Sequence, residues 1–207
     1  MIRWLPLLLL FVAVPAAAGT VLTESKAWPV TPGARVRLEF PVGQLEVEAS
    51  DSDKVRLDLI VECDRGSAAD CARKAKRVTL DARERPGQLN LEVEAPKLPS
   101  NFQLRAVLQV PRDLAVEIEM GVGELEVHGM RGDLALELGV GEGKVRLAES
   151  SYREAEISVG IGEASIRAPG KSAQSSGFLG HESHWSGSGS ARVKLRIGVG
   201  DGDIRLD

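Results

Sequence analysis

Residues 116–147 read VEIEMGVGELEVHGMRGDLALELGVGEGKVRL, and the parity of their apolar residues decides the fold. Val116, Ile118, Met120 and Val122 occupy even positions, whereas Leu125 and Val127, just past Gly121-Val122-Gly123-Glu124, occupy odd ones. Period-two alternation marks half-buried strands. A one-residue slip turns every later side chain to the opposite face, so the chain must bend or bulge at the glycines to keep its apolar face inward. Gly139-Val140-Gly141-Glu142 repeats the event, passing from Val140 to Val145 and Leu147.

The same unit occurs at Pro41-Val42-Gly43-Gln44, Gly160-Ile161-Gly162-Glu163 and Gly198-Val199-Gly200-Asp201. Its second glycines lie at 43, 123, 141, 162 and 200, which gives the C-terminal part a period of about 18–21 residues. The last interval is close to two periods, and Gly177-Phe178-Leu179-Gly180 sits where a decayed copy falls. Glycine at a corner tolerates positive φ and lets neighbouring coils approach closely. Two short strands and a corner per period predict an all-β chain built as a β-solenoid, each coil burying its aliphatic face against its neighbours. Residues 116–207 fit best, because 17 of the 22 glycines follow residue 120 while only Pro169 of the ten prolines follows residue 111. Residues 19–115 read as longer strands, the loop Pro96-Lys97-Leu98-Pro99 and one short helix within Ser67 to Val78, continuous with the solenoid as one domain.

The net charge of −4 over 207 residues, with no basic cluster, argues against a nucleic-acid partner. Residues 1–18 carry one arginine, Arg3, an apolar run from Trp4 to Val14, and Ala16 and Ala18 at cleavage-site spacing. They read as a secretory signal peptide. The run is too short for a membrane span, and no other stretch is apolar enough for one. An exported chain folds in an oxidising compartment, so Cys63 and Cys71, separated by a polar turn, are expected to form a disulfide.

The Gly-Val-Gly-Glu/Asp corners, the signal peptide and the lead-in Val36-Arg37-Leu38-Glu39-Phe40 resemble the bacterial β-strand-repeat family described as "putative adhesin" or toast-rack domains. The resemblance covers nearly all of the mature chain. It implies an exported cell-envelope protein without family catalytic residues, and some members are linked to envelope-stress systems.

Stacked coils bring corresponding residues into columns. The residues after the second glycines, Gln44, Glu124, Glu142, Glu163 and Asp201, would stand about 4.8 Å apart, close enough for the carboxylates to hold Ca²⁺ or simply to cap backbone N–H groups. The spacing is not that of the Gly-Gly-x-Gly-x-Asp calcium rolls. Four residues further on, Glu48, His128, Arg146, Arg167 and Arg205 form a second column, whose arginines offer a site for an anionic glycan or lipid headgroup or serve as solubilising charge. His181-Glu182-Ser183-His184-Trp185 lacks the His-Glu-x-x-His spacing of zinc proteases. With its Ser/Gly-rich flanks, residues 172–190, it reads as a protruding loop in which His181 and His184 offer metal ligands and Trp185 a partner contact. Arg131-Gly132-Asp133, Asp51-Ser52-Asp53 and Asp201-Gly202-Asp203 read as turns.

No Gly-x-Ser-x-Gly elbow or phosphate loop occurs, so the chain reads as a non-enzyme without a resident cofactor. The expected function is an exported binding or structural module of the cell envelope, periplasmic, with an envelope protein or a glycan as partner. A secreted or surface adhesin for glycans is the alternative, and a carbohydrate-active β-helix enzyme the third. The final strand, Ile204-Arg205-Leu206, is expected at an uncapped solenoid end where a second chain can pair.

Overall fold

The computed structural model describes residues 19–63, 68–96, 102–177 and 180–207; the signal-peptide reading of residues 1–18 lies outside them. The elements are β1 (Gly19–Pro29), β2 (Arg35–Ser50), β3 (Lys54–Cys63), α1 (Ala68–Ala75), β4 (Thr79–Arg85), β5 (Gln88–Glu94), β6 (Phe102–Pro111), β7 (Ala115–His128), β8 (Leu134–Leu147), β9 (Tyr152–Ala168), β10 (Lys171–Gly177), β11 (His181–Ser186) and β12 (Ala191–Leu206). Among the described residues, twelve strands join one hydrogen-bonded sheet whose spine is β2-β7-β8-β12-β9, all parallel.

Loop length shows that this sheet must fold back on itself. A straight 14-residue strand runs about 46 Å, yet residues 129–133 alone carry the chain from the end of β7 to the start of β8, a reach of about 18 Å at full extension. Ordinary parallel neighbours need a crossover of a dozen or more residues. Each spine strand therefore bends at its Gly-x-Gly corner so that its two ends meet. The half before the corner pairs towards β5 and β4 on one side and β11 on the other; the half after it pairs towards β6, β3 and β1, and towards β10. The two layers face each other across one apolar core that runs from Trp28 to Leu206. They close tightly just past the corner: a Cβ at Gly202 would lie 2.5 Å from the Ile157 Cδ1.

The corners carry the steric signature the parity flip implies. The second glycines have φ between +128° and +143°, and a Cβ on Gly123, Gly141, Gly200 or Gly162 would lie 1.8 Å from the carbonyl oxygen of the next glycine in the column. Above them, Gly121, Gly139, Gly198 and Gly160 pack so that a Cβ would lie 2.3–2.5 Å from the neighbouring carbonyl. That column ends at Pro41, whose carbonyl oxygen lies 2.3 Å from where a Cβ on Gly121 would stand.

Several expectations change. The coils do not stack in chain order, because β12 inserts between β8 and β9 and the column runs 43, 123, 141, 200, 162. Ile204 and Arg205 are consequently paired on both sides, and Leu206 with Leu147, so this strand is no open end; the spine is flanked there instead by β10 and β11. Residues 171–177 and 181–186 are no protruding loop but two strands that return antiparallel along β9, with Gly177 opposite Gly162 and the Gly180 N–H donating to the Gly160 carbonyl at 2.8 Å. Ser/Gly composition hid the alternation of His181, Ser183 and Trp185, which are all buried. Asp201-Gly202-Asp203 likewise lies inside β12 and not in a turn. The short helix lies within the expected Ser67 to Val78. Cys71 on it bridges Cys63 with Cα atoms 6.1 Å apart, and by loop entropy so short a bridge contributes about 2–3 kcal/mol.

Tyr152, the sole tyrosine, starts β9 and is fully buried; its hydroxyl donates to the carbonyls of Gly132 at 3.0 Å and Met130 at 3.2 Å. Burial, reinforced by Asp133, pushes its ionisation well above the ordinary 10.0. The folded state therefore keeps the proton after the unfolded chain has lost it, and stability falls as pH rises beyond about 10. Absorbance at 295 nm should show no phenolate until far-UV circular dichroism reports unfolding; a separate earlier titration would contradict the burial. Gly141→Ala should cost more than about 3 kcal/mol in urea denaturation, against about 1 kcal/mol for Gly33→Ala, where φ is +80° but no atom lies within 4 Å of the new Cβ.

Candidate partner-binding surface

The in-register spine turns sequence repeats into straight rows that cross the strands. Between the two glycines of each corner one side chain points outward, and the row reads Val42, Val122, Val140, Val199, Ile161. The last four are the exposed large hydrophobics among the described residues, at 43–47%. This ridge was missed in the sequence, where Val122 was counted with the inward even-numbered run. The signal was present: the middle residue is inward by the parity before the corner and outward by the parity after it.

Beside the ridge runs a groove of about 900 Å³ whose floor includes the backbone of Gly121, Gly139 and Gly198. Its wall is the row Glu39, Glu119, Glu137, Arg196. Arg37 reaches in from the row below, donating to Glu119 at 2.5 Å and Glu117 at 3.1 Å, with Glu39 at 3.3 Å. Partial burial works against its charge, but Glu119, Glu117 and Glu39 outweigh that and raise its pKa. Arg196 pairs with Glu137 at 3.0 Å.

On the other flank the expected corner column is assembled in the order Gln44, Glu124, Glu142, Asp201, Glu163. Its members are engaged locally. The Gln44 amide donates to Glu124 at 3.1 Å, Asp201 accepts the Glu163 N–H at 2.9 Å, and Lys144 donates to Glu142 at 2.9 Å, a bond that leads the causes raising the Lys144 pKa. Among the described residues no group of three His, Cys, Asp or Glu side chains converges as a metal site.

The basic row runs Glu48, His128, Arg146, Arg205, Arg167. Arg205 stands between the other two arginines, bonded to Asp207 at 2.9 Å, while Arg167 lies 3.4 Å from Asp203. With Lys144 and four carboxylates they line a depression of about 320 Å³. His128 lies 3.3 Å from Glu126. The aromatic contact site does not form: Trp185 is buried, with a Cβ on Gly187 only 2.0 Å from its ring, and of the two histidines only His184 is exposed. In the Arg131-Gly132-Asp133 connection, Asp133 accepts the Arg192 N–H at 2.8 Å.

The profile of the N-terminal domain of toast_rack, DUF2154, matches residues 30–167, a stretch that contains four of the five corners. The chain belongs to this family. Among solved structures the toast-rack chain is similar to a "putative cell adhesion protein" from Clostridium sporogenes, with a TM-score of 0.56 and 17% identity, over 90% of this chain and 100% of that one. Weaker likenesses are to a "putative adhesin" from Bacteroides fragilis (TM-score 0.30, 12% identity, 88% of this chain and 96% of that) and another from Parabacteroides distasonis (0.30, 11%, 88% and 70%). The first shares the fold. No curated protein matches the chain. No helix among the described residues of this toast-rack protein is long and apolar enough to cross a membrane.

Arg37→Gln leaves three carboxylates facing one another without their shared partner. At one-third exposure the loss should be about 1 kcal/mol in low salt, shrinking in 1 M NaCl, as read from urea midpoints in the two buffers; a salt-independent loss would mean that Arg37 acts by packing.

Proposed function

We propose that this toast-rack protein is a non-enzymatic, exported module that binds a partner at the cell envelope, in the periplasm, where it serves as an accessory to a larger envelope system. The observation that carries this reading is the ridge of four aliphatic side chains at 43–47% exposure in one straight line. Apolar rows rimmed by polar residues mark interaction surfaces on soluble proteins. The rows that surround it repeat one chemistry from strand to strand, which suits an extended contact better than the convergent acid and base of an active site. The description of the Clostridium sporogenes protein as one of cell adhesion agrees with a binding role.

A second reading, an adhesin for anionic glycans, is favoured by Arg146, Arg205 and Arg167 standing on three adjacent strands. One strand spacing separates each from the next, about 4.8 Å, so a linear polyanion could engage all three. Charge works against it: the same depression holds Glu142, Glu163, Asp201 and Asp203.

A photo-reactive residue at position 140, on the exposed ridge, tests both in cells. Expected is a chain recovered from the periplasmic fraction with one recurrent protein adduct. Recovery in the cytoplasm would overturn the reading. Export to the medium with glycan adducts that vanish on Arg146→Gln/Arg167→Gln/Arg205→Gln would replace it with the adhesin.

A further inference from the structure

The ridge also specifies the chemistry and shape of what covers it. At all five corners the outward position is Val or Ile, exposed at four of them, although the extended backbone there is met equally by threonine, which is β-branched and polar. Aliphatic side chains so exposed call for an apolar counterpart. Both flanks are acidic in net charge: the rows on either side hold Glu39, Glu119 and Glu137, and Glu124, Glu142, Asp201 and Glu163, against Arg196 within the first and Arg37 and Lys144, which pair into them from adjacent rows.

Charge therefore separates the candidate occupants. A second copy docked ridge to ridge would bring carboxylate rows against carboxylate rows, and an anionic bilayer would meet the same repulsion. A partner with an apolar stripe between Lys or Arg residues meets neither obstacle.

Spacing selects its conformation. The ridge advances by one strand, about 4.8 Å per side chain, and runs about 19 Å from Val42 to Ile161. A helix presents one apolar side chain per turn, about every 5.4 Å, so it drifts by only about 2.4 Å over the four intervals of the ridge, and spans 19 Å in about 13 residues. An extended peptide presents same-face side chains about 6.7 Å apart and falls out of step after two. The glycine floor beside the ridge gives such a helix room to approach the backbone.

The geometry points to a cationic amphipathic helix of a partner protein, laid across the five parallel strands with its apolar stripe on Val122, Val140, Val199 and Ile161 and its basic flanks on the two carboxylate rows. This rests on the envelope-module reading and names the partner's chemistry.

The test uses the full exported chain and a fluorescent 18-residue helical peptide with Leu at i, i+3, i+4 and i+7 spacing and Lys on both flanks, beside a counterpart with Glu in place of Lys. Expected are saturable anisotropy with the Lys peptide, weakening with salt, and about tenfold or greater loss for Val122→Thr/Val140→Thr/Ile161→Thr/Val199→Thr. Should that variant melt lower than the parent, Glu124→Lys/Glu142→Lys, which keeps the ridge, is expected to lose the Lys peptide and gain the Glu one. Equal binding of both peptides by the parent would overturn the proposal. So would ridge-dependent self-association in sedimentation or ridge-dependent flotation with phosphatidylglycerol vesicles. Purified chain is blind to compartment, so cytoplasmic recovery overturns only the envelope reading, whereas a periplasmic chain that ignores peptide charge overturns only this one.

Discussion

Carbonyl groups stacked against side-chain-less α-carbons hold this molecule in its shape. At each corner the second glycine lies so close to the carbonyl of the next coil that a methyl group would have to occupy the same space, 1.8 Å away. A corner can thus sit only on another corner. Register across β2, β7, β8, β12 and β9 follows from that single exclusion, because a one-residue slip would place a side chain against a carbonyl. From register follow the straight rows, and from the bend that the glycines permit follow the two-layer core and the short connections between parallel strands.

The exclusion fixes register but does not fix which coil is whose neighbour. The β12 corner fits β8 and β9 equally, since all three present the same Gly-x-Gly. The four residues between β8 and β9 lead the chain across a gap one strand wide, which only the last strand fills. That placement is non-local, spanning 59 residues to Leu134, and carries the closure entropy of that separation. Tyr152, at the start of β9, is bonded across the gap to the Gly132 and Met130 carbonyls and so ties β9 to the connection between β7 and β8.

Local physics was legible in the sequence, and lateral order was not. Parity flips disclosed the corners, the inward residues and the bend, because each is a property of a few adjacent residues. The Cys63–Cys71 bridge was legible from compartment and spacing. The β12 insertion was hidden because interchangeable corners carry no address. The strands β10 and β11 were hidden because serine and glycine lower apparent hydrophobicity while keeping period two. Trp185 was misplaced for the same reason: in a stretch taken for a loop, a tryptophan reads as exposed, whereas its neighbours at two-residue spacing, Ser183 and His181, share its inward face. The columns were assembled as expected, but two members of each traded places when Gly200 moved ahead of Gly162.

That exchange bears on function. The ridge and both acidic rows take their fourth member from β12, the last strand in chain order: Val199 lies between Val140 and Ile161, and Asp201 between Glu142 and Glu163. Without β12 the aliphatic line would break into a triplet and a single residue separated by an empty strand position, and the basic row would lose its central Arg205. A partner that spans the line consequently reads the completed fold and not any one repeat. The same steric rule that stacks the glycines thus sets the spacing of the surface, so the most constrained atoms of the chain, which touch no partner, determine the geometry a partner must match.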